Sequence, residues 1–278
     1  MTLRPLPASA PRVGATGIIA ALLEQRTGQQ LAANRAWRLD ATLKPLLRER
    51  GLADFDALVG ALLGARDPNL ADAVVEALLN QETSFFRDAG VLEQVVEAAS
   101  SMASEGGRPR IWSAGCSAGQ EPLSLAMLFA ERGGPMPDIQ ATDVSGAALA
   151  RARSGRYSQF EVQRGLPIRR LMQWFDPVGE DWVGKPELVD RIRYRRQNLA
   201  SDPVLPGKFD VILCRNVLLY FGGPTRARVL DALACALRPG GMLVLGAGET
   251  VIGQTDRLEP SRQWRGFYAI SDRPRRYA

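Results

Sequence analysis

The chain has 278 residues, of which 46% are hydrophobic, enough for one large core and a small second domain. Its 35 basic and 30 acidic side chains give a formal charge of +5, which favours an acidic partner but is too small to indicate nucleic acid. The sequence contains no histidine, which excludes imidazole acid–base catalysis and histidine-ligated metal sites.

The cysteines, Cys116, Cys214 and Cys235, stand far apart and form no CxxC pair. We therefore expect reduced thiols in the core or in a pocket, no bound metal, and a reducing compartment. Because no apolar run approaches the roughly 20 residues that a membrane helix needs, we also expect no membrane insertion.

The N-terminal part of the chain is predicted to be helical. Residues 1–12, rich in proline and alanine, are expected to form a flexible lead, and residues 13–80 show helical apolar spacing punctuated by glycines, which predicts a small all-α domain. Its second helix is predicted to begin near Asn34 and to carry Arg35 and Arg38. Most charged helix faces are simply solvated, and that alternative stays open here.

Residues 111–130, IWSAGCSAGQEPLSLAMLFA, followed by ATD at 141–143, predict a strand, a glycine turn, a helix and a strand that ends in an acid. Gly115 and Gly119 would let the backbone pass close under a nucleoside, and Asp143 could accept two ribose hydroxyls. The GxxxG spacing differs from the dinucleotide motif GxGxxG. Tight packing between strand and helix is the alternative reason for the glycines.

The C-terminal half shows the alternation of a parallel sheet. Apolar runs at 210–214 and 240–249 are separated by a predicted crossover helix at 230–237, which the turn at 238–241 ends. The run at 263–270 is expected to add an antiparallel edge strand. A doubly wound sheet binds its ligand beyond the carboxyl ends of its strands. The predicted crevice is lined by Gly115, Asp143, Asn198 and residues 215–217.

Five ordered motifs identify a family. They are NQETSFFRD at 80–88, WSAGCSAGQEPLSLAM from Trp112, ATD with ARSGRYS from Ala152, QNL at 197–199, and CRNVLLYF at 214–221. Together they closely resemble the CheR-type chemoreceptor glutamate O-methyltransferases.

The resemblance implies an α/β fold, a Rossmann-like class I methyltransferase sheet with a small β-subdomain at about 162–194, preceded by the helical N-terminal domain. The methyltransferase domain would span residues 81–278. S-adenosylmethionine is the implied methyl donor and S-adenosylhomocysteine the product. The implied substrate is the cytoplasmic helical region of methyl-accepting chemoreceptors, whose glutamates become methyl esters during receptor adaptation. We further expect a cytoplasmic monomer that binds no nucleic acid.

Methyl transfer to glutamate suits a chain without histidine, because a carboxyl group with a pKa of about 4.3 is already ionised at neutral pH. Positioning is then the enzyme's task. We expect Arg87 and Tyr220 to be catalytic, since a guanidinium forks onto a carboxylate and a phenol can hold one carboxylate oxygen. Arg87 could instead hold the methionyl end of the cofactor or pair structurally with Asp88.

The cofactor contacts are carried over from the resemblance. The residues are Gln81, Thr83, Arg87, Glu121, Asp143, Asn198, Leu199, Asn216 and Val217. N-capping by Glu121 and turn formation by Asn198 are the alternatives. Gln81 replaces the family's usual asparagine and Gln120 its second glutamate, and both keep hydrogen-bonding capacity.

Recognition of the receptor is also implied by the resemblance. The helix with Arg35 and Arg38 would grip the acidic receptor coiled coil. The stretch at 176–185 offers a shorter hairpin than family members that bind a receptor C-terminal peptide, so we expect recognition independent of that peptide. Two other functions stay open: a methyltransferase for a small molecule, a non-receptor protein or nucleic acid, and a non-catalytic sensory adaptor.

Overall fold

In the computed structural model of the protein, the described residues are 13–31, 38–64, 67–102 and 107–272. The expected flexible lead at 1–12 lies outside them, as do Asn34 and Arg35. The chain divides into two compact units, Met1–Asn80 and Gln81–Ala278. Within the described ranges, no helix combines the length and the apolar character that a membrane crossing requires.

The first unit is helical, as its apolar spacing predicts. Its described helices are α1 (Val13–Thr27), α2 (Arg38–Glu49), α3 (Phe55–Leu63) and α4 (Leu70–Leu78). The side chain of Asp54 caps α3 by accepting the Ala57 amide at 2.8 Å, which satisfies one of the free donors at a helix start. The four helices share a buried apolar cluster that includes Ile19, Leu43 and Val74.

The second unit alternates helices and strands. Its helices are α5 (Ala89–Met102), α6 (Gln120–Arg132), α7 (Gly146–Ser154), α8 (Gln159–Gln163), α9 (Ile168–Trp174), α10 (Pro186–Val189) and α11 (Gly223–Ala236). Its strands are β1 (Arg110–Ala114), β2 (Asp138–Asp143), β3 (Arg156–Ser158), β4 (Phe175–Val178), β5 (Asp181–Gly184), β6 (Ile192–Arg196), β7 (Phe209–Cys214), β8 (Leu237–Leu245), β9 (Leu258–Pro260) and β10 (Phe267–Ile270).

Seven strands form one sheet in the order β6-β2-β1-β7-β8-β10-β9, and the first five are parallel. Neighbouring residues on β1 point to opposite faces: Ile111 joins the cluster that includes α5 and α6, and Trp112 joins the cluster with α11. The sheet is thus covered on both faces, as parallel sheets require. This confirms the predicted doubly wound α/β fold.

Three predictions in the C-terminal half need correction. The crossover helix is longer than 230–237: α11 begins at Gly223, and Leu237 already belongs to β8. Residues 238–241 lie within β8, where the pairing with β7 shifts register between Phe209 and Val211. β10 pairs antiparallel as expected, but it is not the edge strand, because β9 pairs with its other side.

A three-stranded antiparallel sheet, β3-β5-β4, forms a small subdomain. Only residues 179–180 join β4 to β5, and Gly179 adopts a positive φ of 66° in this turn. The subdomain contains helices α8, α9 and α10 besides the strands expected from its sequence. Its sheet starts before residue 162, and β6, at the end of the range 162–194, pairs with β2 in the main sheet.

Aromatic contacts anchor the subdomain to the main body. Phe85 packs edge to face on Tyr157 and Phe175, with ring centroids 5.0 and 5.7 Å apart. The Tyr157 hydroxyl donates to the Ala118 carbonyl at 2.8 Å, and burial raises the pKa of this phenol far above its usual value. The subdomain is therefore fixed against the loop that follows β1.

The cysteines differ in exposure. Cys116 and Cys214 are buried, and burial raises the pKa of both thiols well above the usual value. Cys235 is exposed, which corrects the expectation that it lies in the core or a pocket.

Thiol labelling tests this difference. In the native protein at neutral pH we expect Ellman's reagent to modify Cys235 rapidly and the other cysteines only after unfolding, because a buried thiol forms little thiolate. A Cys235→Ser variant should lose the fast phase. Rapid reaction of Cys116 or Cys214 in the folded protein would contradict the packing described.

Candidate functional site

The loops that follow the parallel strands meet at the carboxyl edge of the sheet. The amides of Gly115 and Cys116 donate to the Thr142 carbonyl at 2.8 and 2.9 Å, which joins the loop after β1 to the end of β2. The Gln197 amide donates to the Asp143 carbonyl at 2.9 Å and joins the loop after β6. The segments predicted to line the crevice therefore meet at the edge where a doubly wound sheet binds its ligand.

The reason for the glycines is different from the one predicted. Gly115 and Gly119 have left-handed φ values of 86° and 88°. A Cβ at Gly115 would collide with the Val217 side chain, and one at Gly119 would lie 2.8 Å from the Tyr194 hydroxyl. The space left by both glycines is thus filled by neighbouring protein atoms, so tight packing, the alternative reading, explains them.

Asp143 holds two loops together. Its carboxylate accepts the amide of Ser117 at 2.8 Å and that of Ser145 at 2.9 Å. Ser145 also caps α7, and its hydroxyl accepts a hydrogen bond from the Gln81 side chain at 3.0 Å. The Ser117 hydroxyl donates to the Gln81 carbonyl at 3.0 Å. Segment 81–88, which carries the first motif, is thereby fastened beside Asp143.

A buried guanidinium lies at the centre of the site. Only 2% of the Arg215 side chain is exposed, and it pairs with Glu121 at 3.0 Å and with Asp88 at 2.5 Å. It also donates to the Arg87 carbonyl at 2.9 Å. The Ser113 hydroxyl donates to the other Glu121 oxygen at 2.7 Å. Glu121 is thus held by Ser113 on β1 and by Arg215 directly after the neighbouring strand β7, and N-capping of α6 does not explain it.

Arg87 occupies a strained turn beside this cluster. Its neighbours Phe86 and Asp88 have positive φ values of 50° and 54°, which non-glycine residues rarely adopt. Asp88 pairs with Arg215, and within the described ranges no carboxylate lies within ion-pair distance of the half-buried Arg87 guanidinium. The structure therefore does not show the structural pairing of Arg87 with Asp88.

Asn198 forms a turn, which the sequence predicted as the alternative to a cofactor contact. Its side-chain oxygen accepts the Ala200 amide at 3.0 Å, and its own amide donates to Asp202 at 2.7 Å. Leu199 packs at the margin of the core cluster with α11. Thr83 is half-buried in segment 81–88.

The turn after β7 carries Asn216, Val217 and, in a short 3₁₀ helix at 218–220, Tyr220. Asn216 has a left-handed φ of 60°. Its amide and that of Val217 donate to the Glu249 carboxylate at 2.7 and 3.0 Å. Tyr220 is half-buried.

Several residues that build the site were not predicted. The main ones are Ser113, Ser117, Ser145 and Glu249. Arg215 was predicted to line the crevice, but its buried ion pairs were not predicted. Glu249 follows a strand at the same sheet edge as Asp143, so the rule that found Asp143 could have found it. Ser145 carries a local signal, because serine is a preferred N-cap residue. The hydroxyls of Ser113 and Ser117 bond a side chain and a carbonyl that a single sequence does not indicate.

The chemistry of the crevice fits S-adenosylmethionine. The donor is a cation with an ammonium, a sulfonium and an adenine amino group, and the crevice offers the carboxylates of Glu121 and Asp143. The buried side-chain oxygen of Asn216 has no hydrogen-bond partner among the described residues, and an unpaired buried acceptor is rare. A hydrogen-bond donor on a bound ligand would satisfy this oxygen.

The predicted receptor-binding residues are placed only in part. Arg38 begins α2 of the helical unit, and its side chain is not described. Arg35 lies outside the described residues.

Comparison with known proteins identifies related proteins. Residues 81–267 match the family described as CheR methyltransferase, SAM binding domain. The chain is 35% identical over 248 residues to the chemotaxis protein methyltransferase Cher2 of Pseudomonas putida, which covers 85% of this chain and 90% of that one. It is 36% identical to chemotaxis protein methyltransferase 1 of Pseudomonas aeruginosa over 85% of this chain and 90% of that one.

Replacing Arg215 tests the buried ion pairs. We expect Arg215→Met to lower the free energy of unfolding in urea by about 3 kcal/mol, because it leaves Glu121 without its cation in a poorly solvated place. Arg156→Met is the matched control: its pair with Asp181 is 48% and 35% exposed, so its loss should cost less than about 1 kcal/mol. Equal losses in the two variants would contradict a structural role for the buried pair.

Proposed function

The chain belongs to the CheR methyltransferase family, uses S-adenosylmethionine as its methyl donor, and, we propose, methylates glutamate carboxylates of methyl-accepting chemoreceptors. The products would be glutamate methyl esters and S-adenosylhomocysteine. The proposal also covers the location and the partner of the protein. It would be a cytoplasmic monomer that acts on the helical cytoplasmic region of the receptor and binds no nucleic acid.

The proposed donor site combines residues of segment 81–88 with residues at or after the carboxyl ends of β1, β2, β6 and β7. Bound S-adenosylmethionine supplies a methyl group on a positively charged sulfur. Asp143 would bind the ribose hydroxyls, Asn198 and Leu199 would flank the adenine, and Glu121 would attract the cationic methionyl end. The remaining proposed contacts are Gln81, Thr83, Arg87, Asn216 and Val217.

Arg87 carries the proposal. Its guanidinium has no carboxylate partner in the described part of the chain, while Arg215 holds its backbone carbonyl at 2.9 Å beside Glu121. A half-buried cation in a fixed turn is suited to binding a carboxylate from outside the chain. That carboxylate belongs either to the substrate glutamate or to the methionyl end of the donor.

The chain needs only to position and desolvate the reacting groups. A substrate glutamate is already a carboxylate at neutral pH, so no side chain has to remove a proton. Tyr220 would donate its hydroxyl to one carboxylate oxygen and so leave the other oxygen aligned for transfer. Since the opposite charges of the reacting groups disappear together, a crevice that excludes water favours the reaction.

Receptor binding is proposed for the helical unit. Arg35 and Arg38 would meet the acidic receptor helices, in keeping with the net charge of +5. The turn between β4 and β5 contains only residues 179–180, which supports recognition without a C-terminal receptor peptide.

Labelled methyl transfer tests the proposed reaction. Incubation with methyl-labelled donor and receptor-containing membranes should give base-labile label, and mass spectrometry should map it to receptor glutamates. We expect Arg87→Ala to cut the rate about 100-fold or more through lost alignment, with an unchanged circular dichroism spectrum. Arg169→Ala, in α9, is the control. Base-stable label, or near-normal turnover by folded Arg87→Ala, would contradict the proposal.

Charge reversal tests the receptor contact. The double variant Arg35→Glu and Arg38→Glu should weaken receptor methylation, because it would repel an acidic surface, while binding of S-adenosylhomocysteine in calorimetry stays unchanged. The same reversal at Arg262 and Arg265, exposed in the other unit and also three residues apart, changes the net charge equally. Equal methylation by both double variants would refute a specific role for the helix.

A further inference from the structure

We propose that Glu249 is a positioning residue for methyl transfer: its carboxylate fixes the turn that carries Asn216, Val217 and Tyr220. The inference deepens the proposed function and rests on it for the roles of those three residues. The hydrogen bonds that carry it are independent of that function.

The carboxylate accepts four backbone amides, two at each oxygen. Oε2 accepts Asn216 at 2.7 Å and Gly246 at 2.8 Å. Oε1 accepts Val217 at 3.0 Å and Leu219 at 3.3 Å. These amides belong to two loops, the one after β7 and the one after β8.

The two loops meet because their strands are neighbours. Cys214 at the end of β7 pairs with Leu245 at the end of β8, so both chains leave the sheet side by side. Each then turns, and turning residues leave amide donors that no strand partner satisfies. A single carboxylate, with about four acceptor positions, can satisfy all of them.

The fit around the carboxylate is close. A Cβ on Gly246 would lie 2.8 Å from the Glu249 oxygen and 2.9 Å from the Asn216 amide nitrogen. Glycine is therefore required at 246 for the acid to approach the turn. On the opposite side, the Val217 side chain fills the space left by Gly115. The turn is thus held between the loop after β1 and Glu249.

The four hydrogen bonds accepted by Glu249, called the clamp from here on, reach the residue next to the proposed catalytic phenol, Tyr220. Leu219, whose amide is one of the four donors, directly precedes Tyr220, whose own amide donates to the Val217 carbonyl at 3.1 Å. Loss of Glu249 would free the amide just before this short 3₁₀ helix and the amide of its middle residue. A displacement of about 1 Å at a reacting group can cost about 100-fold in rate.

Glu249→Gln is the sharpest test. The side chain keeps its size, but one carboxylate oxygen is replaced by an NH₂ group. This group cannot accept the hydrogen bonds of the two amides that face it. We expect about tenfold weaker binding of S-adenosylhomocysteine in calorimetry, through Asn216 and Val217. At saturating donor, turnover should fall tenfold or more. At low donor concentration the weaker binding adds to this loss, so the rate should fall about 100-fold in total. Hydrogen exchange should quicken at the amides of residues 216–219 and stay unchanged in α11.

Two controls separate positioning from stability. Leu233→Ala, in the buried face of α11, lowers the melting temperature without touching the turn, and Glu180→Gln removes one exposed charge. If Glu249→Gln lowers the melting temperature as Leu233→Ala does but keeps normal donor affinity and turnover, the proposal is overturned. If it does not fold, Gly246→Ala, which displaces the carboxylate, carries the same expectations and the same refutation.

The outcomes also separate this inference from the proposed function. A wild-type protein that binds S-adenosylhomocysteine but never methylates receptors would defeat the proposed function. Weakened donor binding and faster exchange in Glu249→Gln would still support the clamp in that case. Unchanged exchange at residues 216–219 would overturn the clamp even if receptor methylation is normal.

Discussion

The site depends on one buried cation. The Arg215 guanidinium is almost fully removed from water, which is costly unless carboxylates and carbonyls surround it. Asp88, Glu121 and the Arg87 carbonyl supply that surrounding, and they come from the segment before α5 and from the first turn of α6. Because Arg215 directly follows β7, the cation joins the end of the central strand to both segments.

Carboxylates organise the rest of the crevice in the same way. Asp143 fixes the loops after β1 and β2 through backbone amides, and Glu249 does so for the loops after β7 and β8. The crevice consequently presents acceptors and negative charge, which suits a cationic methyl donor. Arg87 is the exception, a cation without an internal carboxylate in the described chain, and it suits an incoming acid. A chain without histidine can work this way because the proposed reaction moves no proton.

Much of the fold was predictable because apolar runs record burial on both faces of a parallel sheet. The acid at the end of β2 could be predicted for the same reason, since strand ends share one edge. The partners of individual side chains could not. Gly115 and Gly119 were expected to accommodate a ligand, yet they accommodate Val217 and Tyr194, which are distant in sequence. The position of Glu249 at the sheet edge was predictable, but its contacts were not, because three of its four partners are backbone amides about 30 residues away and amides leave no mark in a sequence. The exposure of Cys235 likewise depends on tertiary packing.

A crystal structure of the protein with S-adenosylhomocysteine would test the central claim most directly. The account predicts the nucleoside at the carboxyl edge of the sheet, with its ribose on Asp143, its amino-acid end near Glu121 and Arg87, and the Arg215 ion pairs intact. A product bound elsewhere, or a crevice filled by side chains that leave no room for it, would contradict the account.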